Sequence, residues 1–287
     1  MDEFIRSHEV AIRLAFFLGA FGAMALWETL APRRDLTVRR SLRWANNLGL
    51  VILNSVVLRV LFPAAAVGVA AVAEARGWGV FNNLSAPGWF AVLGSAVALD
   101  FIIYLQHVMV HAVPALWRLH RVHHADLDFD VTTGARFHPI EIILSMLIKF
   151  AAIVLIGAPV LAVVIFEVLL NATAMFNHGN VRIARALDRA LRWIVVTPDM
   201  HRVHHSVDAD ETNSNFGFNL PWWDRLFGTY RHEPRAGHAA MTVGIAEYRD
   251  PRHCVWLPGL LALPFTGSGS GSGYAINRRE WPHADAH

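Results

Sequence analysis

The chain has 287 residues, of which 54% are hydrophobic and 17% are charged, and its mean hydropathy is +0.36. A soluble globular protein carries about 25% charged residues, so this composition favours a membrane protein over a soluble one. The single cysteine excludes a scaffold of internal disulfides, and a formal net charge of +2 without a lysine-rich tail gives no indication of nucleic-acid binding.

Five apolar segments predict membrane helices, since a helix needs about 20 mostly apolar residues to span a bilayer. Their approximate bounds are 14–31, 48–72, 89–110, 140–156 and 160–176. Pro63 predicts a kink in the second segment, and Gly157-Ala158-Pro159 predicts a tight turn between the fourth and the fifth. We therefore predict an all-α integral membrane protein of four to five membrane helices.

The pattern divides the chain into three regions. Residues 1–88 hold the N-terminal membrane helices, and residues 89–257 hold the other helices and most of the histidines. Residues 258–287 form a C-terminal tail with a Gly/Ser linker at 267–273. A short apolar piece at 255–265 is predicted to lie on the membrane surface.

The arginines predict the orientation of the helices. The densest short basic loop should be cytoplasmic, and it contains Arg33, Arg34, Arg39, Arg40 and Arg43. Following the chain onward puts loop 73–88 outside, and puts both 112–139 and everything after residue 177 in the cytoplasm. We thus expect a cytoplasmic helical cap that carries every histidine cluster. The membrane would be a bacterial inner membrane, or the endoplasmic reticulum in a eukaryote.

The histidines are the unusual feature of the sequence, with 16 in the chain. Most of them form three clusters and one isolated position: His107-Val-Met-Val-His111, His120-Arg-Val-His123-His124, His178 and His201-Arg-Val-His204-His205. Residues four apart share one face of a helix, so each cluster presents imidazoles together. Imidazole is the commonest metal ligand near neutral pH. Eight or nine converging imidazoles exceed what one ion can take, which predicts a dinuclear site.

The type of ligand limits the choice of metal without identifying a single one. Nitrogen ligands without thiolates favour iron, zinc, copper or nickel. The metallopeptidase signature His-Glu-x-x-His is absent from the sequence, which weakens a membrane-protease interpretation. A bis-histidine haem protein would leave most of these histidines unexplained.

The clusters and their flanking residues resemble the fatty acid hydroxylase/sterol desaturase superfamily of membrane di-iron oxygenases. The likeness covers about residues 90–235 and includes Asp100-Phe-Ile-Ile-Tyr104, Phe137-His138-Pro139-Ile140-Glu141, Asn177-His178-Gly179-Asn180 and Thr197-Pro198-Asp199-Met200. Trp223-Asp-Arg-Leu-Phe-Gly-Thr229 is similar to the alkylglycerol monooxygenase-like branch and its bacterial relatives. The sequence departs from the family at Val108, where the family often has arginine.

The resemblance implies a ligand set, a cofactor and a reaction. The implied metal ligands are His107, His111, His120, His123, His124, His138, His178, His201, His204 and His205. His138 could equally be a helix-start residue before Pro139. The implied cofactor is two iron ions, with zinc as the alternative after overexpression, and O2 is the co-substrate. The implied substrate is a membrane lipid (fatty acyl, sterol-like or ether), which is hydroxylated or desaturated with electrons from an external reductase, ferredoxin, cytochrome or pterin. The alternative function is a non-catalytic or zinc-loaded membrane metal-binding protein.

Five further residues are candidates to support the metal site. Asp100 and Tyr104 share a helix face with His107 and His111, and Glu167 and Asn171 share one with His178. Asp199 precedes His201 by two residues. An ionisable group within a membrane helix usually faces the protein interior, so these groups could orient an imidazole. The alternative is a structural hydrogen bond between helices. We expect Arg121 and Arg202 to be solvated, and His238 to lie at the surface.

Overall fold

The computed structural model describes residues 2–267, with side chains from His8 onward. Within these residues it is all-helical apart from isolated β-bridges. The α-helices, in chain order, are α1 Asp2–Leu30, α2 Arg40–Leu61, α3 Ala65–Arg76, α4 Val80–Asn83, α5 Gly88–Ala112, α6 Pro114–His124, α7 Pro139–Ile156, α8 Val160–Asn177, α9 Arg185–Leu191, α10 Pro198–His204, α11 Ala209–Thr212, α12 Trp222–Leu226, α13 Gly237–Ala240, α14 Pro251–Cys254 and α15 Leu257–Ala262.

Five helical segments in the described part of the chain are long and apolar enough to cross a membrane. Their bounds are His8–Leu30, Arg40–Asn83, Gly88–Ala112, Pro139–Ile156 and Val160–Asn177. Large apolar side chains cover their outer faces; in α1, for example, Leu18 is 58% and Leu30 is 74% exposed. The prediction of an all-α integral membrane protein is thus confirmed.

The second segment differs most from its predicted form. It begins at Arg40 rather than near residue 48, and it divides into α2 and α3 instead of bending as one helix. Proline lacks a backbone N–H and disfavours helical geometry in the residue before it, so Pro63 ends α2. Ala65 has a positive φ of 50°, which marks the change of direction at the start of α3.

The membrane helices contact one another at one end of the bundle. The end of α1 meets the end of α8, where Arg33 N donates to Asn180 O at 2.9 Å. The start of α7 lies beside α2, since Asn54 Nδ2 donates to Phe137 O at 2.8 Å. The opposite end of the bundle holds loop 77–79, which packs against the α7–α8 turn so closely that a Cβ on Gly79 would lie 2.2 Å from Gly157 N.

A buried ionic network ties the start of α2 to the stretch that follows α6. Arg43 donates to Asp126 at 2.7 and 2.9 Å and also pairs with Asp130, and Arg136 lies 3.3 Å from Asp126. Although burial alone would raise it, the two guanidinium groups hold the pKa of Asp126 well below its usual value. Arg43 therefore has a structural role in folding this end of the bundle, whose loops and short helices at 31–39, 113–138 and 178–267 are called the cap below.

The short apolar piece near the C-terminus packs against the cap. Leu260 and Leu263 are buried with Leu50 and Val122, while Phe265 is 66% exposed. Its position on the membrane surface stays a prediction. The Gly/Ser linker lies outside the described residues beyond Gly267.

Candidate metal centre

Nine buried histidines converge where the helix ends meet, and they form two groups. The five-histidine group contains His107, His111, His120, His124 and His204. The four-histidine group contains His123, His178, His201 and His205. Within each group, one ring nitrogen from every member lies within 4.8 Å of the others. Each side chain is at most 7% exposed.

Helix geometry divides each His-x-x-His-His cluster between the two groups. In α6, His120 and His124 are four residues apart and face the five-histidine group, whereas His123 faces the other. At α10 the division is reversed, because His201 and His205 face the four-histidine group and His204 does not. Successive helical residues differ by about 100°, so one short helix can supply ligands to both sides.

In the five-histidine group, most rings are oriented by an acceptor on Nδ1. The Nδ1 atom of His107 lies 2.8 Å from Phe216 O, that of His120 lies 2.6 Å from Glu141 Oε1, and that of His204 lies 2.7 Å from Ser214 O. Nδ1 of His111 lies 3.2 Å from Asn213 Oδ1. The Nε2 atoms of His107, His120 and His204 are buried with no hydrogen-bond partner among the described residues. Buried polar atoms are rarely left unpaired, so these nitrogens fit metal ligation.

In the four-histidine group, the rings approach one another directly. Nε2 of His178 lies 3.2 Å from Nε2 of His123 and 3.1 Å from Nε2 of His201. Neither ring nitrogen of His205 has a hydrogen-bond partner in the described part of the chain. Such converging, unpaired nitrogens are the donor set that a transition-metal ion accepts.

Burial keeps five of the grouped imidazoles neutral, as metal ligation requires. Burial, reinforced by neighbouring histidines, lowers the pKa of His123, His201 and His205 well below its usual value. Burial lowers the pKa of His178 and of His204 to about 3. A neutral ring keeps a lone pair for a metal ion at physiological pH.

His138 is not brought into either group. It precedes α7 as its N-terminal cap, and its Nδ1 accepts from Ile140 N at 3.2 Å. Its Nε2 lies 3.3 Å from Leu261 O. Both ring nitrogens therefore face backbone groups, which matches the helix-start interpretation rather than ligation.

Asp100 and Tyr104 hold a loop instead of an imidazole. Asp100 accepts from Trp223 Nε1 at 2.8 Å and from the backbone N–H groups of Asn219 and Leu220 at 3.3 Å. The hydroxyl of Tyr104 lies 3.1 Å from Thr229 Oγ1. The structure thus connects both residues to the loop that carries Phe216, whose carbonyl contacts His107.

The other three candidates also lie away from the ligand nitrogens. Glu167 pairs with Lys149 at 3.0 Å and with Arg13 at 3.3 Å inside the helix bundle. Asn171 donates to the backbone carbonyl of Glu167 at 2.7 Å. Asp199 pairs with Arg202 and with Arg33. The Glu167 pairs join different helices, the Asn171 hydrogen bond lies within α8, and the Asp199 pairs lie at the histidine end of the bundle.

The carboxylate that does contact a candidate ligand is Glu141, which the sequence analysis did not select. It lies in the first turn of α7 and is 5% exposed. Two features of the sequence could have identified it. It belongs to the family-like motif at the start of that helix, and it lies near the end of a predicted membrane helix. Asp224 was also missed: it accepts from the N–H groups of Phe216 and Gly217 at 2.8 Å and so shapes the loop behind His107.

Three expectations about polar surface residues are wrong. Arg121 and Arg202 are 2% and 0% exposed, and their guanidinium groups lie over the rings of Tyr248 and Phe129. His238 is 8% exposed, and its Nε2 lies 3.8 Å from Asp199. Arginine can be buried when carbonyls and aromatic rings replace its water, as they do here.

Fold and site together define an all-α membrane protein with a histidine-rich centre suited to metal binding. Residues 92–229 match the model of the fatty acid hydroxylase family, and all nine grouped histidines lie in this range. Over these residues the chain is similar to the fatty acid hydroxylase family, as its motifs predicted.

Curated relatives extend the likeness beyond that range. The chain is 28% identical over 225 residues to the ornithine lipid hydroxylase OlsE of Rhizobium tropici, covering 76% of this chain and 67% of that protein. It is 29% identical over 204 residues to the alkylglycerol monooxygenase of Xenopus tropicalis, covering 64% of this chain and 43% of that protein. The human alkylglycerol monooxygenase is 27% identical over 150 residues, covering 50% and 31%. The chain thus spans less than half of these vertebrate relatives. No solved structure is significantly similar to it.

Proposed function

We propose that this protein is a membrane-bound di-iron oxygenase that hydroxylates or desaturates a lipid with O2 and external electrons. The observation that carries the proposal is the convergence of nine buried histidines in two groups at the end of an apolar helix bundle. Two groups of four and five nitrogen donors suit two metal ions better than one. Iron bound there would supply the redox chemistry that activates O2 toward a C–H bond.

The residues of the chain would bind, orient and shield this centre. Glu141, Phe216 O and Ser214 O would hold three rings with Nδ1 protonated and Nε2 facing the metal. The burial of all nine rings excludes water, which protects a reactive centre from side reactions. The protein would also place one carbon of the lipid beside the centre.

The substrate class rests on the membrane location and on the relatives. An ornithine lipid hydroxylase and an alkylglycerol monooxygenase are among the proteins to which this chain is similar. A fatty acyl, sterol-like or ether lipid is therefore the proposed substrate class, with a reductase, ferredoxin, cytochrome or pterin as electron donor.

The proposed location is a bacterial inner membrane with the metal centre on the cytoplasmic face. Cysteines introduced at Ser41 and Asp210, both exposed on the histidine side, should react with a membrane-impermeant thiol reagent only from the cytoplasm. One at Ser85, in the loop at the opposite end, should react from the other side. The native Cys254 is buried, so it gives little background. Labelling of Ser85 and Asp210 from the same side would contradict the topology.

The function is tested by comparing lipids from cells that express the protein with lipids from cells that express a His120→Ala variant. Mass spectrometry should show a lipid that gains one oxygen or loses two hydrogens only with the native protein and only under O2. Metal analysis of protein kept in lipid should give two irons per chain. A stable zinc protein that consumes no O2 would instead support the metal-binding alternative.

A further inference from the structure

Two short segments of the cap expose large apolar side chains next to each other. The exposed residues, called the cap patch below, are Trp193, Ile194, Trp222, Leu226 and Phe227, and their exposed fractions lie between 47% and 70%. A hydrogen bond joins the two segments, since Trp222 Nε1 donates to Trp193 O at 2.7 Å. Trp222 and Leu226 share one face of α12 because they are four residues apart. A contiguous exposed apolar surface of this kind marks a contact with another apolar surface.

The cap patch continues the lipid-facing surface of α5. Along this helix Leu93 and Val97 are 60% and 39% exposed, and Phe101 follows them on the same face. The centroid of the Phe101 ring lies 4.7 Å from that of Trp223, and the ring stacks on that of Phe227 at 5.8 Å. Because α5 is long and apolar enough to span the membrane, the patch adjoins a surface that lipid covers.

The segment at 219–227 packs along the sides of two membrane helices. Phe101 in α5 contacts Phe227, and Thr173 in α8 donates from its hydroxyl to Asn219 Oδ1. At 1.5 Å per residue, Phe101 lies about 16 Å and Thr173 about 6 Å from the histidine-side ends of these helices. Both contacts fall within candidate membrane spans, so the segment reaches a depth at which lipid surrounds the helices.

The irregular backbone beside the patch has protein partners for its polar groups. The backbone N–H groups of Asn219 and Leu220 donate to the buried Asp100 carboxylate at 3.3 Å. Asn177 Nδ2 donates to Phe218 O at 2.9 Å. Hydrocarbon offers no hydrogen bonds, so backbone at membrane depth must be paired within the protein. Water would satisfy the same groups without a buried carboxylate.

The charged groups next to the patch are paired or covered by rings. The guanidinium carbon of Arg225 lies 4.1 Å from the ring centroids of both Trp193 and Tyr230. Arg225 also donates to Arg192 O at 3.1 Å. Arg192 itself is 2% exposed and pairs with Asp188 at 2.7 Å. Contact of the patch with lipid would therefore leave none of these charges unpaired.

We propose that the cap patch anchors the cap in the bilayer, with its side chains inserted into the histidine-side leaflet at the boundary between headgroups and acyl chains. Tryptophan rings favour this boundary, and binding there strengthens with the apolar area that is buried. The partner is lipid because the patch continues the lipid-covered face of α5 at the same depth. The anchor would hold in place the loop whose Phe216 O lies 2.8 Å from His107 Nδ1. It does not depend on the proposed oxygenase function.

Fluorescence quenching tests this insertion in the full chain, reconstituted in nanodiscs of phosphatidylcholine and phosphatidylglycerol. The environment-sensitive dye NBD is attached to Leu226→Cys and, in a second variant, to Ile194→Cys. Leu93→Cys is the lipid-facing control and Asp210→Cys the exposed control on the cap. A chain with no introduced cysteine measures the background from the buried Cys254.

A lipid with a nitroxide near the headgroup end of one acyl chain should quench both patch labels as it quenches the label at Leu93. Iodide, which stays in water, should quench the label at Asp210 and lose most of its effect at the patch. Iodide quenching at the patch as strong as at Asp210 would overturn the anchor. Protection from both quenchers would place protein on the patch, such as a second copy of the chain, and would overturn it as well.

An added charge provides a second readout. Leu226→Asp should lower the midpoint of thermal unfolding in nanodiscs by at least about 2–4 °C, because a carboxylate must then leave water for the membrane interface. Ala239→Asp, at an exposed position of the cap, should leave the midpoint unchanged. A patch that faces water would tolerate both substitutions equally, since changes at solvated surface positions have small effects. Equal midpoints in the two variants would therefore overturn the anchor.

Discussion

The two histidine groups are held in different ways. In the five-histidine group, four rings have an Nδ1 acceptor, provided by Phe216 O, Asn213, Glu141 and Ser214 O. In the four-histidine group only His178 has one, from Ala174 O at 2.8 Å. The Nδ1 atoms of the other three have no hydrogen-bond partner among the described residues.

Aromatic packing replaces hydrogen bonding in the four-histidine group. Phe137 stacks on the ring of His123 with centroids 4.5 Å apart, and Phe129 contacts His178 and His205 at 5.4 and 5.1 Å. Hydrogen bonds fix both the direction and the tautomer of a ring, whereas packing fixes only its plane. We therefore expect the five-histidine group to be the tighter metal site, and the following predictions test that difference in order of decreasing effect.

Removal of one ligand should have the largest effect. His178→Ala should abolish activity and release the metal of the four-histidine group, because it leaves only three imidazoles there. Metal analysis after purification in lipid measures the loss. His253→Ala, at an exposed position, should retain native metal content. Equal metal content in both variants would remove His178 from the ligand set.

Loss of the Glu141 charge should weaken the five-histidine group. Glu141→Gln keeps an acceptor for His120 but removes the charge that strengthens the hydrogen bond, and such outer partners typically change metal affinity or activity by about 10–100-fold. Chelator competition against the native protein measures the affinity. Glu247→Gln, on the surface, is the matched control. No change in Glu141→Gln would mean that the charge of Glu141 does not strengthen metal binding through His120.

The stability of chelator-treated protein should fall at acidic pH, because its histidines are buried. Burial holds the pKa of His178 and His204 at about 3, below their usual 6.5. On acidification these histidines take up protons at a higher pH in the unfolded chain than in the folded one. The free energy of unfolding is therefore largest above about pH 6.5 and falls as the pH drops toward 3.

Thermal unfolding in detergent at pH 7.5 and 5.5 measures this effect. In metal-loaded protein the same acidification should release metal from the four-histidine group first, because only one of its four rings, that of His178, has an Nδ1 acceptor that fixes the tautomer and directs Nε2 to the metal. Simultaneous release from both groups would show that Nδ1 partners do not set the order.

The aromatic support of the four-histidine group should matter moderately. Phe137→Leu removes the ring stacked on His123, and aromatic pairs of this kind contribute about 0.5–1.5 kcal/mol, which corresponds to roughly 2- to 10-fold in metal affinity. The chelator assay should show faster loss chiefly from this group, because the Phe137 ring lies 4.5 Å from that of His123 and 6.1 Å from that of His120 in the other group. Phe16→Leu, on the exposed face of α1, should have no such effect.

The smallest effect on metal binding should come from Asp100. Asp100→Asn weakens the hydrogen bonds to Trp223 and to the loop, which should lower the unfolding free energy by about 1.5–3 kcal/mol. Metal retention should stay close to native, because the hydrogen bonds of the carboxylate among the described residues go to Trp223 and to two backbone N–H groups rather than to an imidazole. A loss of metal without a loss of thermal stability would instead indicate coupling through Phe216 to His107.

Much of the membrane architecture was predictable because it depends on local composition. The predicted bounds of the fourth and fifth helices agree with α7 and α8 to within a residue, and the Gly157–Pro159 turn lies between them. Apolar length and proline position act within one segment, so they can be read without knowing its neighbours. The break at Pro63 was foreseen as a kink, but its extent depends on how α3 packs against α7 and α8.

The supporting residues were less predictable because helix faces do not specify partners. Asp100 and Glu167 lie on the faces that lead to His107 and His178, as their spacing indicates, yet they bind Trp223 and Lys149. Glu141 reaches His120 because the start of α7 happens to lie beside α6. A residue's own helix determines its direction, whereas the group it meets belongs to another element.

The sequence by itself indicated four to five membrane helices, the likeness to the family and the nine histidines that converge, although it also offered His138. These features depend on residue type and short-range spacing. The tertiary structure alone decided how nine histidines divide into groups of five and four and which rings are held by hydrogen bonds. Those properties arise from distances between α5, α6, α7, α8 and α10. Long-range packing sets such distances, and no spacing along a single helix encodes them.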